Sequence, residues 1–390
     1  MIDKNEKLRV GFISIEDASD IRSWSGIPFH ILSHLLDRQD VEVEVFSPLD
    51  RRLKYTLAPA KLLATAQSHS FMPDRSTLLL KSYARQIERL LRNRPVDVIF
   101  STSSIPITLL DCSQPIVFWT DAVFHSMIGY YGGVFDRLDQ SSIDRGKHQE
   151  ETVLQRCAAA IYSSHWAAAT AATLTDPQKI HVLPFGSNLP TQSTPEKIGL
   201  LARKKREACP NSCELLFIGV EWDRKGGDKA IEVARNLNES GIKTTLNIVG
   251  SKPQIPPPEF VRILDFVDKS TTHGIEQLTK LYQDADFFLL PTKAEAAGIV
   301  FCEASSFGLP ILAHATGGVG DYIKHGTNGV CLPLSCSAED FAGEIRALLF
   351  DPARYETLSV AAFLEYRDRL NWKSSTQRLI QICSSLVDKR

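Results

Sequence analysis

Short apolar runs alternate with amphipathic stretches along almost the whole chain, and that alternation leaves few folds open. Residues 8–15 (LRVGFISI) form a near-continuous apolar run, the pattern of a strand buried on both faces of a parallel sheet. A polar loop follows at 16–26. Residues 28–36 then set Phe29, Leu32, Leu35 and Leu36 on one helical face. Residues 41–46 (VEVEVF) alternate with period two, and 96–100, 115–119, 159–163 and 180–184 predict four more strands. The pattern stops at 189–197 (LPTQSTPEK), which has linker composition, and then begins again. Beyond it, 215–219, 245–250, 261–266, 286–291, 310–314 and 329–332 read as strands. Helices are predicted between them at 228–238, 274–282, 300–307 and 338–350. Strands and helices in this order imply an α/β chain with two doubly wound, Rossmann-like domains.

Length agrees. At 390 residues the chain exceeds the roughly 250–300 residues that one hydrophobic core serves. The formal charge of −2 offers no concentrated positive field, so nucleic acid is not an expected partner. No run reaches the ~18–20 apolar residues that span a bilayer. The opening MIDKNEKLRVGFISIE has no secretory pattern, so a cytoplasmic protein is expected. The eight cysteines lack zinc-site spacing and are expected to be free thiols.

The chemistry concentrates in residues 291–310, PTKAEAAGIVFCEASSFGLP. A strand ends at Pro291, a loop carries Glu295 and Gly298, and a helix opens near Ile299 with Glu303 one turn in. A helix N-terminus presents unsatisfied N–H groups and about half a positive charge. Gly298 lets that backbone approach a bound phosphate. Glu303 suits a diol such as ribose, and Glu295 a sugar hydroxyl. Both glutamates could instead be solvated surface charges. The apolar neighbours Val300, Phe301 and Cys302 argue for a buried helix, where an unpaired carboxylate is costly.

On these residues the chain resembles the family-four retaining glycosyltransferases, which have the GT-B fold. Glu295 and Glu303 reproduce that family's E-x7-E spacing, and Gly308-Leu309-Pro310, Thr316-Gly317-Gly318, Asp321 and Asn328-Gly329 extend the match. Gly219, Lys225 and Gly226 match a second family pattern; Val220 stands where the family has arginine, with Arg224 the nearest guanidinium. The resemblance implies a nucleotide-sugar donor held at Glu303, Gly298, Ile299, Val300 and Gly219, with Gly26 and Gly186 also donor-side. It implies that Lys225 and Arg224 stabilise the leaving diphosphate and that Glu295 holds the transferred sugar. Asp121 stands where many relatives carry an acceptor-facing histidine; a helix N-cap explains it equally well. His125 is a lesser candidate. Residues 1–190 would form the acceptor-side domain, 191–199 the hinge and 200–369 the donor domain, with 370–390 returning to the first. The expected acceptor is a hydroxyl on a glycan, a lipid-linked group or a small molecule.

No cofactor and no metal are expected. Asp284-Ala285-Asp286 has D-x-D spacing but abuts a strand, and no G-x-G-x-x-G or P-loop occurs. Arg51, Arg52, Lys54 and Lys61, interleaved with leucines, read as a solvated helix or, more sharply, as a peripheral membrane contact. A non-catalytic nucleotide-sugar-binding subunit and a nucleotide-sugar epimerase remain as alternatives.

Overall fold

The computed structural model describes residues 7–189 and 191–388. Residues 7–183 together with 375–388 make one compact unit, and Pro184–Ser374 make the other.

The first unit holds a six-stranded, all-parallel sheet. Its strands are β1 (Leu8–Ile13), β2 (Val41–Phe46), β3 (Val98–Ser101), β4 (Ile116–Thr120), β5 (Ala159–Tyr162) and β6 (Ile180–Val182). They lie in the order β2-β1-β3-β4-β5-β6. β3 and β5 are buried along their whole length, as strands covered by helices on both faces must be. Helix Thr77–Asn93 supplies Leu80 and Tyr83 to a core that includes Phe46, Phe118 and Tyr162.

The second unit repeats the architecture with β7 (Ser212–Ile218), β8 (Lys243–Val249), β9 (Val261–Leu264), β10 (Phe287–Leu290), β11 (Ile311–His314) and β12 (Gly329–Leu332). Their order is β12-β11-β10-β7-β8-β9. Chain order therefore reverses between β7 and β10. In an open parallel sheet this switch point leaves a crevice beyond the strands' carboxyl ends.

The expected hinge, residues 191–199, falls inside the second unit, which runs from Pro184 to Ser374 rather than from 200 to 369. The stretch expected as hinge is helical from Pro195: Thr194 caps helix Pro195–Ala208 by accepting from the Lys197 N–H, and Pro195 occupies its first turn. Proline's fixed φ and missing N–H suit that position, so a residue that looks like linker punctuation starts a helix.

Candidate functional site

The loops after β7 and β10 meet at the second unit's switch point. After β7, Gly219 hydrogen-bonds to the Val249 carbonyl, and a one-turn helix, Trp222–Lys225, carries Arg224 and Lys225. Lys225 lies between the predicted strand 215–219 and the predicted helix 228–238, where no element is expected; it is helical and 9% exposed. Its stem explains Gly219, because a Cβ there would lie 2.9 Å from Lys225 Cγ. Gly226 ends the turn at φ 80° and starts helix Gly227–Glu239.

After β10 the chain brings Glu295 to these cations. Glu295 is 4% exposed, and Lys225 Nζ donates to its carboxylate. Arg224 Nη1 stands 3.8 Å from the same carboxylate and donates to the Ala294 carbonyl at 2.8 Å. Arg224 also makes a two-point pair with Glu221, whose carboxyl it holds below the usual range. Backbone ties join the loops: Lys293 N–H donates to the Arg224 carbonyl at 2.7 Å, and Gly318 N–H to the Glu295 carbonyl at 2.9 Å. Lys225, Arg224 and Glu295 thus form one charge cluster. Val220 is 63% exposed and takes no part in it.

Gly298, at φ 92°, is the N-cap of helix Ile299–Ser306, and a Cβ there would come within 2.6 Å of the Phe301 ring. The free N–H groups of that helix's first turn, including those of Ile299 and Val300, are the donors a phosphate could use. Glu303 is fully buried on this helix. Lys269, in the turn after β9, donates to one oxygen and Tyr282 to the other, the latter at 3.0 Å. Burial, and then the Glu303 charge, push the Tyr282 phenol well above its ordinary value, so it remains a donor. Neither Lys269 nor Tyr282 is evident in the sequence pattern. They reach Glu303 from 34 and 21 residues away.

Gly186 has a packing explanation: a Cβ on it would fall 2.2 Å from the Trp372 backbone nitrogen. Asn328 likewise serves its own turn, bonding the Tyr322 carbonyl and the Lys324 N–H.

In the first unit, Gly26 is the left-handed N-cap of helix Ile27–Leu36. Trp24 and Ser25 before it also have positive φ, 40° and 56°, values uncommon outside glycine. Asp121 follows β4 half-buried. The N-cap position of the next turn, Phe124–Met127, is Val123, which makes no side-chain capping bond, and Asp121 stands two residues before it. His125 Nε2 lies 3.1 Å from Glu151.

The D-x-D pair is occupied with structure. Asp286 pairs with Arg206 and, at 3.2 Å, with Lys205, while Asp284 pairs with Lys280. Among the described residues, no three His, Cys, Asp or Glu side chains cluster as metal ligands. All eight cysteines are free.

Residues 202–364 match the family described as glycosyl transferases group 1. The chain is 26% identical over 291 residues to the lipopolysaccharide glucosyltransferase WaaG of Escherichia coli K12, spanning 70% of this chain and 73% of that one. It is 32% identical over 187 residues to D-inositol 3-phosphate glycosyltransferase 1 of Catenulispora acidiphila, of which it spans 44%. Among solved structures, sucrose-phosphate synthase of Thermosynechococcus elongatus superposes with a TM-score of 0.70 at 16% identity, covering 98% of this chain and 100% of that one. HepE of Anabaena, solved with UDP-glucose, gives 0.62 at 15% identity over 97% and 100% of the two chains. The fold is that of the GT-B glycosyltransferases, and the resemblance carried by the motifs holds.

Proposed function

We propose that this chain is a group 1 glycosyltransferase and that it moves a hexose from a nucleotide-diphosphate sugar to a hydroxyl acceptor in the cytoplasm. The transfer retains anomeric configuration and uses neither metal nor cofactor. The carrying observation is the charge cluster at the switch point, where Lys225 and Arg224 converge on buried Glu295 beside a glycine-capped helix. Such a site suits a diphosphate, whose negative charge grows as the sugar–phosphate bond breaks.

In this reading Glu303 exchanges its contact with Lys269 for the ribose diol, and the N–H groups after Gly298 receive the diphosphate. Glu295 takes a hydroxyl of the transferred sugar. The acceptor oxygen attacks the anomeric carbon from the face the phosphate leaves, the carbon–oxygen bond to phosphate breaks, and the acceptor proton passes to the leaving phosphate oxygen. Asp121 orients the acceptor, and Gly26 belongs to the donor side. The protein contributes position and preorganised charge.

Incubation with UDP-, GDP- and ADP-hexoses tests the function. Slow donor hydrolysis without any partner is expected, undiminished by excess EDTA. No turnover of any donor would favour a binding subunit, interconversion of the sugar an epimerase, and EDTA loss restored by magnesium or manganese a metal-dependent enzyme. Glu303→Ala is expected to weaken nucleoside-diphosphate affinity by about 10- to 150-fold, the equivalent of a charged hydrogen bond worth about 1.5–3 kcal/mol. Unchanged affinity by calorimetry, in a variant that still melts cooperatively, would remove Glu303 from the ribose site.

A further inference from the structure

The first unit carries a helix that buries none of its own residues. Neither the 3-10 turn Arg52–Leu57 nor the helix Ala58–Ala66 that continues it has a buried side chain. Tyr55, Leu62 and Leu63 are 70%, 72% and 61% exposed, and Leu53 is exposed beside them. On the helix, Pro59, Leu62, Leu63 and Ala66 fall on one face by their 3, 4 and 7 spacing. Amphipathic helices normally hold their place by burying such a face.

Charge indicates what could cover it. Residues 51–73 contain no Asp or Glu and carry Arg51, Arg52, Lys54 and Lys61. The nearest carboxylates are already engaged: Asp50 with Arg52, Asp74 with Arg51 and the Tyr83 hydroxyl, and Glu16 with Arg51. Among the described residues neither Lys54 nor Lys61 finds an ion-pair partner, and Lys54 lies 5.2 Å over the Tyr55 ring. Exposed leucines and an aromatic ring set in an acid-free basic stretch combine the two attractions that hold a helix at an anionic bilayer surface. Among the described residues no helix is long and apolar enough to cross a membrane, so a contact through this helix would be peripheral.

We infer that residues 52–66 are a docking surface for an anionic lipid bilayer, with Leu62 and Leu63 entering the headgroup–acyl boundary and Lys54 and Lys61 facing lipid phosphates. This rests on the exposed helix and its charge, not on the identity of the donor.

Co-sedimentation of the full chain with phosphatidylcholine vesicles, with and without about 30% phosphatidylglycerol, tests it. Binding to the anionic vesicles, falling as salt rises from about 0.1 to 0.5 M, is expected. Leu62→Ser/Leu63→Ser should lower the partition coefficient about tenfold or more, and Lys54→Glu/Lys61→Glu should erase the preference for anionic lipid. Both variants should keep the parent melting temperature, since neither removes a buried group. No partition at low salt, or partition untouched by both double variants, overturns the inference. Sedimentation equilibrium closes the other route: a lipid-free dimer broken by the leucine variant would assign the face to a second copy, and a monomer supports the bilayer.

Discussion

Replacing Lys225 with alanine is expected to lower turnover by about two to three orders of magnitude, or about 2.7–4 kcal/mol, the scale of losing one preorganised partner to a developing anion. The same variant is also expected to lose stability. Glu295 is 4% exposed, and without its lysine it becomes a poorly compensated buried charge. Breaking such a pair costs about 3–5 kcal/mol, towards the lower end here because Arg224 remains 3.8 Å away. The two effects separate in Lys225→Met/Glu295→Gln, which removes both charges. Its thermal melt should return close to the parent value while turnover stays low. If Lys225→Ala keeps near-normal turnover in a folded protein, the electrostatic role of this helical turn is wrong.

Gly226→Ala should produce the largest loss of stability among the glycines of this site, roughly 2–5 kcal/mol from a left-handed backbone and overpacking together. Its φ is 80°, and a Cβ would lie 2.2 Å from the Pro291 carbonyl oxygen, a backbone atom that cannot swing aside. Gly241 provides the control. Its φ is 86°, yet a Cβ there would meet nothing within 4 Å, so Gly241→Ala isolates the backbone cost at about 1–2 kcal/mol. Matched calorimetric melts give the difference. Equal losses at the two positions would mean that the loops after β7 and β10 are not held in this close apposition.

The strands were legible because a parallel strand covered on both faces must be apolar throughout, as in residues 287–290 and 311–314, buried at every position. The acidic pair was legible because its spacing lies within one loop and helix. Its partners were not. Lys269 sits in a polar turn with no periodicity, and only the β9-to-helix connection brings it to Glu303. The helical turn at Lys225 was missed for a related reason: one turn is too short for a repeating apolar face to show. Helix Gln140–Arg156 shows the opposite failing, long but largely polar, with Asp139 supplying its cap. Proline misled at 195, where the preceding threonine made a helix start from what composition marks as linker.

The packing around Gly186 has a consequence for how the second unit is joined to the rest of the chain. Residues entering that unit are bonded to residues leaving it: Ser187 N–H to the Leu370 carbonyl at 3.0 Å, and Trp372 Nε1 to Asn188 Oδ1 at 3.0 Å. Phe185 and Trp372 pack ring to ring at 5.8 Å, and Gly186 allows the close approach because any side chain there would strike the Trp372 backbone. The unit therefore has the topology of an insertion, with both ends emerging from one stitched point. Chains of this kind tolerate circular permutation and excision because their ends already meet. Residues 184–374 form such a cassette, one that could be cut from its host and closed by a short linker without redirecting any strand.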